Sequence, residues 1–174
     1  MFNMRMAEMD RCCFSTYGVY IEHPLDWRIF LDPKKGFNRQ TGFIRIEDYV
    51  PKKGAQVSMS VNWARADSDS DSFPETYYQN LQSQYGRQLK KAPHKIESME
   101  IIHQNGQKAA YIVSGYWGAQ KLFHKGDEQI KALQLAFYDD GSSRAVVGTV
   151  MGHIAAVEEQ EPYLKELLLT LKCI

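Results

Sequence analysis

Apolar and polar residues alternate in short stretches along most of the chain, which is the pattern of half-buried β-strands. The clearest region runs from Lys95 to His153, where Asn105-Gly106 and Asp140-Gly141 separate the apolar runs. Such dipeptides supply the positive φ angles of tight turns, so each predicts an antiparallel hairpin. The predicted strands are Tyr17–Ile21, Trp27–Leu31, Phe43–Glu47, Val57–Trp63, Ile96–His103, Gln107–Trp117, Gln129–Tyr138 and Arg144–His153.

The apolar spacing changes to a helical period in the middle of the chain. Ser72-Phe73-Pro74-Glu75 resembles a capping box with proline in the first turn, so we expect the Ser72 hydroxyl to accept a hydrogen bond from the Glu75 amide. The helix that follows ends before Pro93. Its apolar face comprises Phe73, Tyr77, Leu81, Tyr85 and the pair Gln88–Leu89.

A second helix is predicted near the end of the chain. Glu158, Glu159 and Glu161 favour a helix N-terminus because the macrodipole stabilises anions there, and Pro162 fits a first turn. The buried stripe of this helix comprises Tyr163, Leu164, Leu167, Leu168 and Leu171.

The strands between Gln107 and His153 are apolar on both faces, which indicates a sheet that is covered on both sides. One face carries Ala109, Tyr111, Val113, Trp117, Leu133, Leu135 and Phe137, and the opposite face carries Ile112, Ala136, Val146 and Val150. The prediction is an α+β protein, a three-layer α/β/α sandwich whose central, mostly antiparallel sheet has about six to eight strands with a helix on each face. We expect residues 1–16 to be a flexible tail and residues 17–174 to form a single domain.

Composition narrows the choice of partners. The 174 residues are 44% hydrophobic, and 21 Lys and Arg balance 21 Asp and Glu. The chain lacks the basic excess of phosphate-binding proteins, so we expect no nucleic-acid partner. Charges interrupt residues 1–11, and no run reaches the ~20 apolar residues of a transmembrane helix. The sequence predicts a cytoplasmic protein without a membrane partner, either a monomer or a weak homodimer.

The three cysteines do not form a recognisable site. Cys12, Cys13 and Cys173 include no CxxC pair, so free thiols are the expected state. A bridge between Cys13 and Cys173 is the alternative.

Other candidates for chemistry depart from the known motifs. Asp67, Asp69 and Asp71 match the start of a calcium loop, but Ser72 and Tyr78 stand where its glycine and glutamate belong. The five histidines have no metal-pair spacing, and the nucleophile-elbow and phosphate-loop motifs are absent. We expect no metal, no cofactor and no catalytic residue, which predicts a protein that is not an enzyme.

Ile21-Glu22-His23-Pro24 followed by Asp26-Trp27 resembles the opening motif of the PsbP-like family, tyrosine or phenylalanine-x-proline-x-x-tryptophan. The resemblance continues through the mid-chain helix, the Asn105–Ala109 hairpin and the leucine-rich last helix, and it covers most of residues 17–174. The family includes the photosystem II extrinsic subunit, a Ran-binding nuclear import factor and bacterial proteins of unknown function. The resemblance implies an α/β/α sandwich with a binding or scaffold role. It implies no specific site, because the Ran-binding residues have no match here.

One connection combines aromatic and basic side chains. The segment from Tyr116 to Lys125 follows a strand, and its candidate partner or ligand surface comprises Tyr116, Trp117, Lys121, Phe123 and His124. The alternative is that Trp117 and Phe123 close the end of the core.

The first functional hypothesis is a non-catalytic interaction or scaffold domain with a protein partner. The second is a carrier for a small apolar ligand, held in a pocket between sheet and helix; its candidate lining comprises Trp63, Tyr77, Tyr85 and Tyr111. A third is a hydrolase or redox activity that uses a histidine such as His124, or Cys13.

Overall fold

The computed structural model describes residues 10–49, 54–88, 94–117 and 129–174. The strands are β1 (Arg11–Thr16), β2 (Val19–Pro24), β3 (Arg28–Leu31), β4 (Thr41–Glu47), β5 (Val57–Arg65), β6 (His94–Gln104), β7 (Gln107–Trp117), β8 (Gln129–Asp139), β9 (Arg144–His153) and β10 (Lys172–Cys173). The helices are α1 (Phe73–Gln88), α2 (Ile154–Glu159) and α3 (Glu161–Leu168), and a short 3-10 helix spans Pro33–Lys35.

The strands form two antiparallel sheets. The larger sheet has seven strands in the order β3-β4-β5-β9-β8-β7-β6, and the smaller has three in the order β1-β2-β10. Helix α1 packs on β6, β7 and β8, whereas α2 and α3 pack on β8 and β9 from the other side. The predicted α+β sandwich with a mostly antiparallel sheet is confirmed. The smaller sheet was not predicted.

Each face of the large sheet has its own apolar cluster. Under α1, Leu81 packs against Ala110 and Ile112. The opposite face carries the main core, whose largest fully buried side chains include Trp63, Phe137, Leu133, Leu135, Leu164, Leu167 and Leu168. Alternate residues of β7 therefore serve different clusters, as the two-faced apolar pattern predicts.

The assignment of Val146 and Val150 to the opposite face was wrong. Val146 lies across from Phe137 and Val150 from Leu133, so all four side chains belong to one face. The register depends on the β8–β9 turn, which is longer than the Asp140-Gly141 dipeptide suggests. The positive φ angle falls on Ser143, at 54°. In the β6–β7 hairpin, Asn105 (52°) and Gly106 (80°) adopt the positive φ angles that the sequence predicts.

The expected tail at residues 1–16 is too long. Residues 11–16 form β1, which pairs with β2 along its whole length. The Arg11 guanidinium reinforces this position, because it lies 3.1 Å from a Glu166 carboxylate oxygen and 3.6 Å from one of Glu22. Residues 1–9 lie outside the described residues.

The Ser72 hydroxyl makes a different hydrogen bond from the predicted capping bond with the Glu75 amide. The Ser72 hydroxyl donates a hydrogen bond to Asp69 at 2.7 Å, and another Asp69 carboxylate oxygen accepts from the amides of Asp71 and Ser72. Asp69 therefore organises the turn before the helix, and these bonds lower the pKa of its carboxyl group.

The described parts of the chain contain no helix long and apolar enough to cross a membrane.

Candidate functional site

The predicted surface around Tyr116 falls only partly within the described residues. Tyr116 and Trp117 end β7, and nothing is described of the Trp117 side chain. Lys121, Phe123 and His124 lie outside the described residues. Their contribution to a surface stays a prediction.

Tyr116 takes part in a stack of three rings. Its ring lies 4.5 Å from that of His94, which lies 4.4 Å from the ring of Tyr85 on α1. The Tyr116 hydroxyl donates to the sulfur of Met151 at 3.8 Å. Burial raises the pKa of Tyr116 and lowers that of His94, which favours neutral rings in both cases. Tyr116 therefore packs α1 onto the sheet as well as reaching the surface.

Cys12 and His23 face each other across β1 and β2, but they do not form a thiol–imidazole pair suited to catalysis. The Cys12 sulfur is 3.5 Å from Nδ1 and 3.3 Å from Nε2 of His23. In the ring plane, a sulfur so nearly equidistant from both nitrogens would collide with Cε1, so it lies over the ring face. Burial also raises the pKa of Cys12, which disfavours the nucleophilic thiolate.

The aromatic residues proposed to line a carrier pocket do not share one face of the sheet. Trp63 and Tyr111 belong to the main core, whereas Tyr77 and Tyr85 pack in the cluster under α1. The sheet lies between the two pairs, so the predicted lining is wrong. Among the described residues, no group of three or more His, Cys, Asp or Glu side chains could hold a metal ion.

The structure brings together a set of residues that the sequence interpretation missed. Helix α1 covers β6, β7 and β8, while β3 and β4 occupy the far edge of the sheet. Phe30 on β3 and Arg45 on β4 are directly paired and so project from the same face. We define the cation–aromatic face as Arg28, Phe30, Lys35, Phe43, Arg45 and Tyr49.

Each aromatic ring of the cation–aromatic face has a cation against it. The Lys35 ammonium lies 3.8 Å from the centre of the Phe43 ring. The guanidinium carbons of Arg45 and Arg28 lie 5.4 Å and 5.3 Å from the ring centres of Phe30 and Tyr49, respectively. These cation–π contacts hold long basic side chains in place at the surface. A groove of about 280 Å³ runs between them, and Phe30, Leu31, Asp32, Lys35, Phe43 and Arg45 line it.

The other side of β3 is apolar and exposed. Ile29 and Leu31 stand opposite the fully buried Ile46 and Ile44, but they are 39% and 51% exposed. Strand β3 also ends the sheet, because β4 is its only neighbour among the described strands. Its outer backbone N–H and C=O groups therefore have no ladder partner there.

The β3 edge lies in a locally basic part of a neutral chain. Residues 28–47 contain five cations and two carboxylates, which are Arg28, Lys34, Lys35, Arg39 and Arg45, with Asp32 and Glu47. Glu47 is already paired with Arg45. The balance of charges over the whole chain conceals this excess, and counting charge in windows of about 20 residues would have detected it.

The arrangement of layers defines the class of protein: the chain has the PsbP-like fold, and the predicted resemblance is confirmed at the level of the fold. No protein-family model matches the chain, and no curated protein matches its sequence. The likeness is therefore one of structure.

Among solved structures, cyanobacterial PsbP from Synechocystis sp. PCC 6803 superposes with a TM-score of 0.63 at 10% identity, over 95% of this chain and 93% of that one. A protein of unknown function from Pseudomonas aeruginosa, PA94, gives 0.53 at 13% identity, over 94% and 97%. A protein from Bacteroides thetaiotaomicron VPI-5482 gives 0.53 at 11% identity, over 95% of this chain and 48% of that one.

Proposed function

We propose that the protein is a non-catalytic, cytoplasmic interaction domain that binds an extended acidic segment of a protein partner along β3. The observation that carries this proposal is the composition of the β3 edge. An unpaired strand backbone lies between two exposed apolar side chains on one face and three ring-supported cations on the other.

The backbone of β3 supports binding by strand addition. An extended peptide that joins a sheet edge gains main-chain hydrogen bonds, and its alternate side chains then face opposite sides of the sheet. Short edge strands limit unspecific pairing, and β3 has only four residues. Specificity must therefore come mainly from the side chains on the two faces.

The two faces favour a peptide in which apolar and acidic residues alternate. Apolar side chains on one face of the added strand would cover Ile29 and Leu31, which solvent now reaches. Acidic side chains on the other face would approach Arg28 and Lys35 and would compete with Glu47 for Arg45. Because neighbouring rings already restrict these cations, less side-chain entropy is lost when a carboxylate pairs with them.

A titration with two synthetic peptides tests the proposal. One decapeptide alternates Glu and Val, and the other alternates Lys and Val. We expect the Glu/Val peptide to bind in a saturable and salt-sensitive way, with the largest amide shifts in a ¹⁵N–¹H NMR spectrum at residues 28–31. The Lys/Val peptide should bind at least about tenfold more weakly.

Paired variants separate the two faces of the site. Ile29→Ser combined with Leu31→Ser removes the apolar contacts without adding charge, and Lys35→Glu combined with Arg45→Glu reverses the charge. Each pair should weaken binding of the Glu/Val peptide by about tenfold or more. The control pair, Arg87→Glu with Lys95→Glu, makes the same charge change at exposed positions on α1 and β6. Its affinity should remain close to the wild-type value.

Two results would contradict the proposal. One is equal affinity for both peptides, and the other is a set of amide shifts on β6, the opposite edge of the sheet. Phe123→Ala tests the other predicted surface in the same assay. Loss of binding in that variant, with binding retained in the β3 pairs, would move the docking site to the segment after Tyr116.

A further inference from the structure

A second cavity lies where the Tyr17–Gly18 turn, the β8–β9 turn and β10 meet. Its volume is about 600 Å³, within the range of small-molecule sites. Its lining comprises Tyr17, Gly18, Arg39, Asp139, Gly141, Ser142, Arg144, Cys173 and Ile174. Nothing in the proposed partner surface along β3 uses this cavity as a binding site.

Arg144 is the buried centre of this cavity, with only 4% of its surface exposed. Its Nη1 donates to the main-chain oxygens of Tyr17 at 2.8 Å and Arg39 at 3.1 Å, and its Nε donates to the Ser142 hydroxyl at 2.8 Å. Those bonds use three of the five N–H donors of the guanidinium. Among the described residues, the remaining nitrogen, Nη2, has the Cys173 sulfur as its only hydrogen-bond acceptor, at 3.9 Å.

The Arg144 charge lacks a direct counter-charge. Among the described residues, no carboxylate oxygen lies within 4.0 Å of its guanidinium. Burial, and then Asp139, raise the pKa of Cys173 to about 11, so its thiol is neutral at pH 7 and does not compensate the cation. Asp139 is linked to the cation through the Ser142 hydroxyl, which accepts from Nε of Arg144 and donates to the Asp139 carboxylate. An anion in the cavity would pair with the buried guanidinium directly and offset more of the cost of its burial.

Arg39 and Asp139 add a second cation and a carboxylate to the lining of the cavity. Arg39 has an exposed side chain, but its main-chain oxygen is bonded to Arg144, which fixes the residue at the cavity wall. Oδ2 of Asp139 accepts hydrogen bonds from the Ser142 amide and hydroxyl. Its Oδ1 receives no hydrogen bond from a nitrogen or oxygen donor among the described residues, and the neutral Cys173 thiol is a neighbouring S–H donor to this carboxylate. The cavity thus offers donors on two cations and one acceptor on a carboxylate.

We propose that this cavity binds a small molecule that carries a carboxylate or phosphate group together with an amine or hydroxyl donor. The oxyanion would accept hydrogen bonds from Nη2 of Arg144 and from the Arg39 guanidinium. The amine or hydroxyl would donate to Oδ1 of Asp139. A ligand that bears only the oxyanion would bring a second negative charge towards the Asp139 carboxylate and give it no hydrogen-bond donor. The two-part ligand should therefore bind more tightly.

Five probes in an NMR titration test this proposal and distinguish the two oxyanions. Acetate and inorganic phosphate carry the oxyanion alone, ethanolamine carries the donor alone, and L-serine and O-phosphoethanolamine carry both. We expect saturable shifts of the amides of Gly18, Gly141 and Ser142 with L-serine or with O-phosphoethanolamine. The one of these two probes that binds more tightly shows whether the cavity prefers a carboxylate or a phosphate. That probe should bind at least about tenfold more tightly than acetate or inorganic phosphate.

Variants at the cavity wall keep the test independent of folding. Arg144 ties three segments together and its replacement is expected to lower the melting temperature, so Arg39→Gln and Asp139→Asn are more informative. Arg39→Gln should weaken binding of the better probe by about tenfold, and Asp139→Asn should abolish its advantage over the simple oxyanion. The control Arg87→Gln, on α1, should bind like the wild-type protein. Absence of saturable binding by every probe, or equal affinity in Arg39→Gln and the wild-type protein, would overturn the proposal.

Discussion

At the scale of single residues, a glycine determines how β4 meets β5. Gly42 lies directly opposite Trp63, and a Cβ atom at position 42 would approach the Trp63 ring to 2.0 Å. The Trp63 indole N–H also donates to the main-chain oxygen of Asn38 at 2.9 Å. The alternating pattern correctly predicts that Trp63 is buried. The pattern does not predict the contact between Trp63 and Gly42, because Gly42 is distant in sequence and only the strand register brings the two residues together.

Gly42→Ala should therefore destabilise the protein strongly. The methyl group has no room unless the Trp63 ring moves, and overpacking of this kind costs typically about 1–3 kcal/mol or more. Urea unfolding measures the loss of free energy. The matched control is Gly86→Ala in α1, where an added Cβ meets nothing within 4 Å and the substitution should stabilise the helix by about 0.5–1 kcal/mol. Equal stability of the two variants would show that Gly42 and Trp63 are not in contact.

The environment of Cys173 predicts a specific pH dependence. Its thiol has a pKa raised from an ordinary 9.0 to about 11, chiefly because burial disfavours the thiolate. The stabilising contribution of the neutral thiol is thus complete below about pH 9 and is lost as the pH rises towards 11. Alkylation by iodoacetamide, followed by mass spectrometry, should show Cys173 reacting with a midpoint near pH 11. A midpoint at or below 9 would contradict the partly buried position of the thiol.

At the scale of elements, the sequence predicts the long strands well and the short ones poorly. In β5, the predicted inward residues Val57, Met59, Val61 and Trp63 are all buried. By contrast, only three of the six β1 residues are apolar and they are consecutive, and β10 has two residues, so neither shows a periodicity that a sequence pattern can reveal. Both depend on β2 for their hydrogen bonds. Likewise, Glu158 and Glu159 were predicted at the start of the last helix, but they end α2, a helix that was not predicted. The chain turns at Gln160, and the predicted helix is α3.

Leu167 tests the orientation of α3. It is fully buried among the main core, so Leu167→Asp would place an unpaired carboxylate in an apolar environment and should abolish cooperative thermal unfolding. Circular dichroism at increasing temperature measures this. Glu159→Asp, at an exposed position on α2 that has no ion pair among the described residues, should retain a melting temperature close to that of the wild-type protein. A normal melting curve for Leu167→Asp would show that α3 presents another face to the sheet.

At the scale of the whole molecule, the layered architecture was predictable, whereas the candidate sites were not. Strands that are apolar on both faces require cover on both sides, and two amphipathic segments supply it. The cation–aromatic face depends on strand order instead, because Phe30, Phe43 and Tyr49 come together only when β3 pairs with β4. The Arg144 cavity depends on contacts between positions more than 100 residues apart in the chain.

Hydrogen exchange should reveal a gradient of stability across the large sheet. Strands β8 and β9 have neighbours on both sides and lie over the main core, so their amides should exchange only on global unfolding. Strand β3 has one neighbour and an exposed outer edge, so many of its amides should exchange much faster. Exchange followed by mass spectrometry resolves the two regions. Protection of β3 equal to that of β9 would contradict an open edge and would weaken the proposed docking surface.

The small sheet has a consequence for how the protein is made. Its middle strand, β2, pairs with β10 through Tyr20 and Lys172, which are about 150 positions apart. A ribosome synthesises β2 before β10, so β2 lacks this neighbour until about 150 further residues have been added. Val19 and Ile21 are fully buried in the folded protein, but they remain uncovered on the nascent chain until β10 has been synthesised. Chaperones that bind emerging apolar segments would therefore meet this strand before the protein itself can bury it.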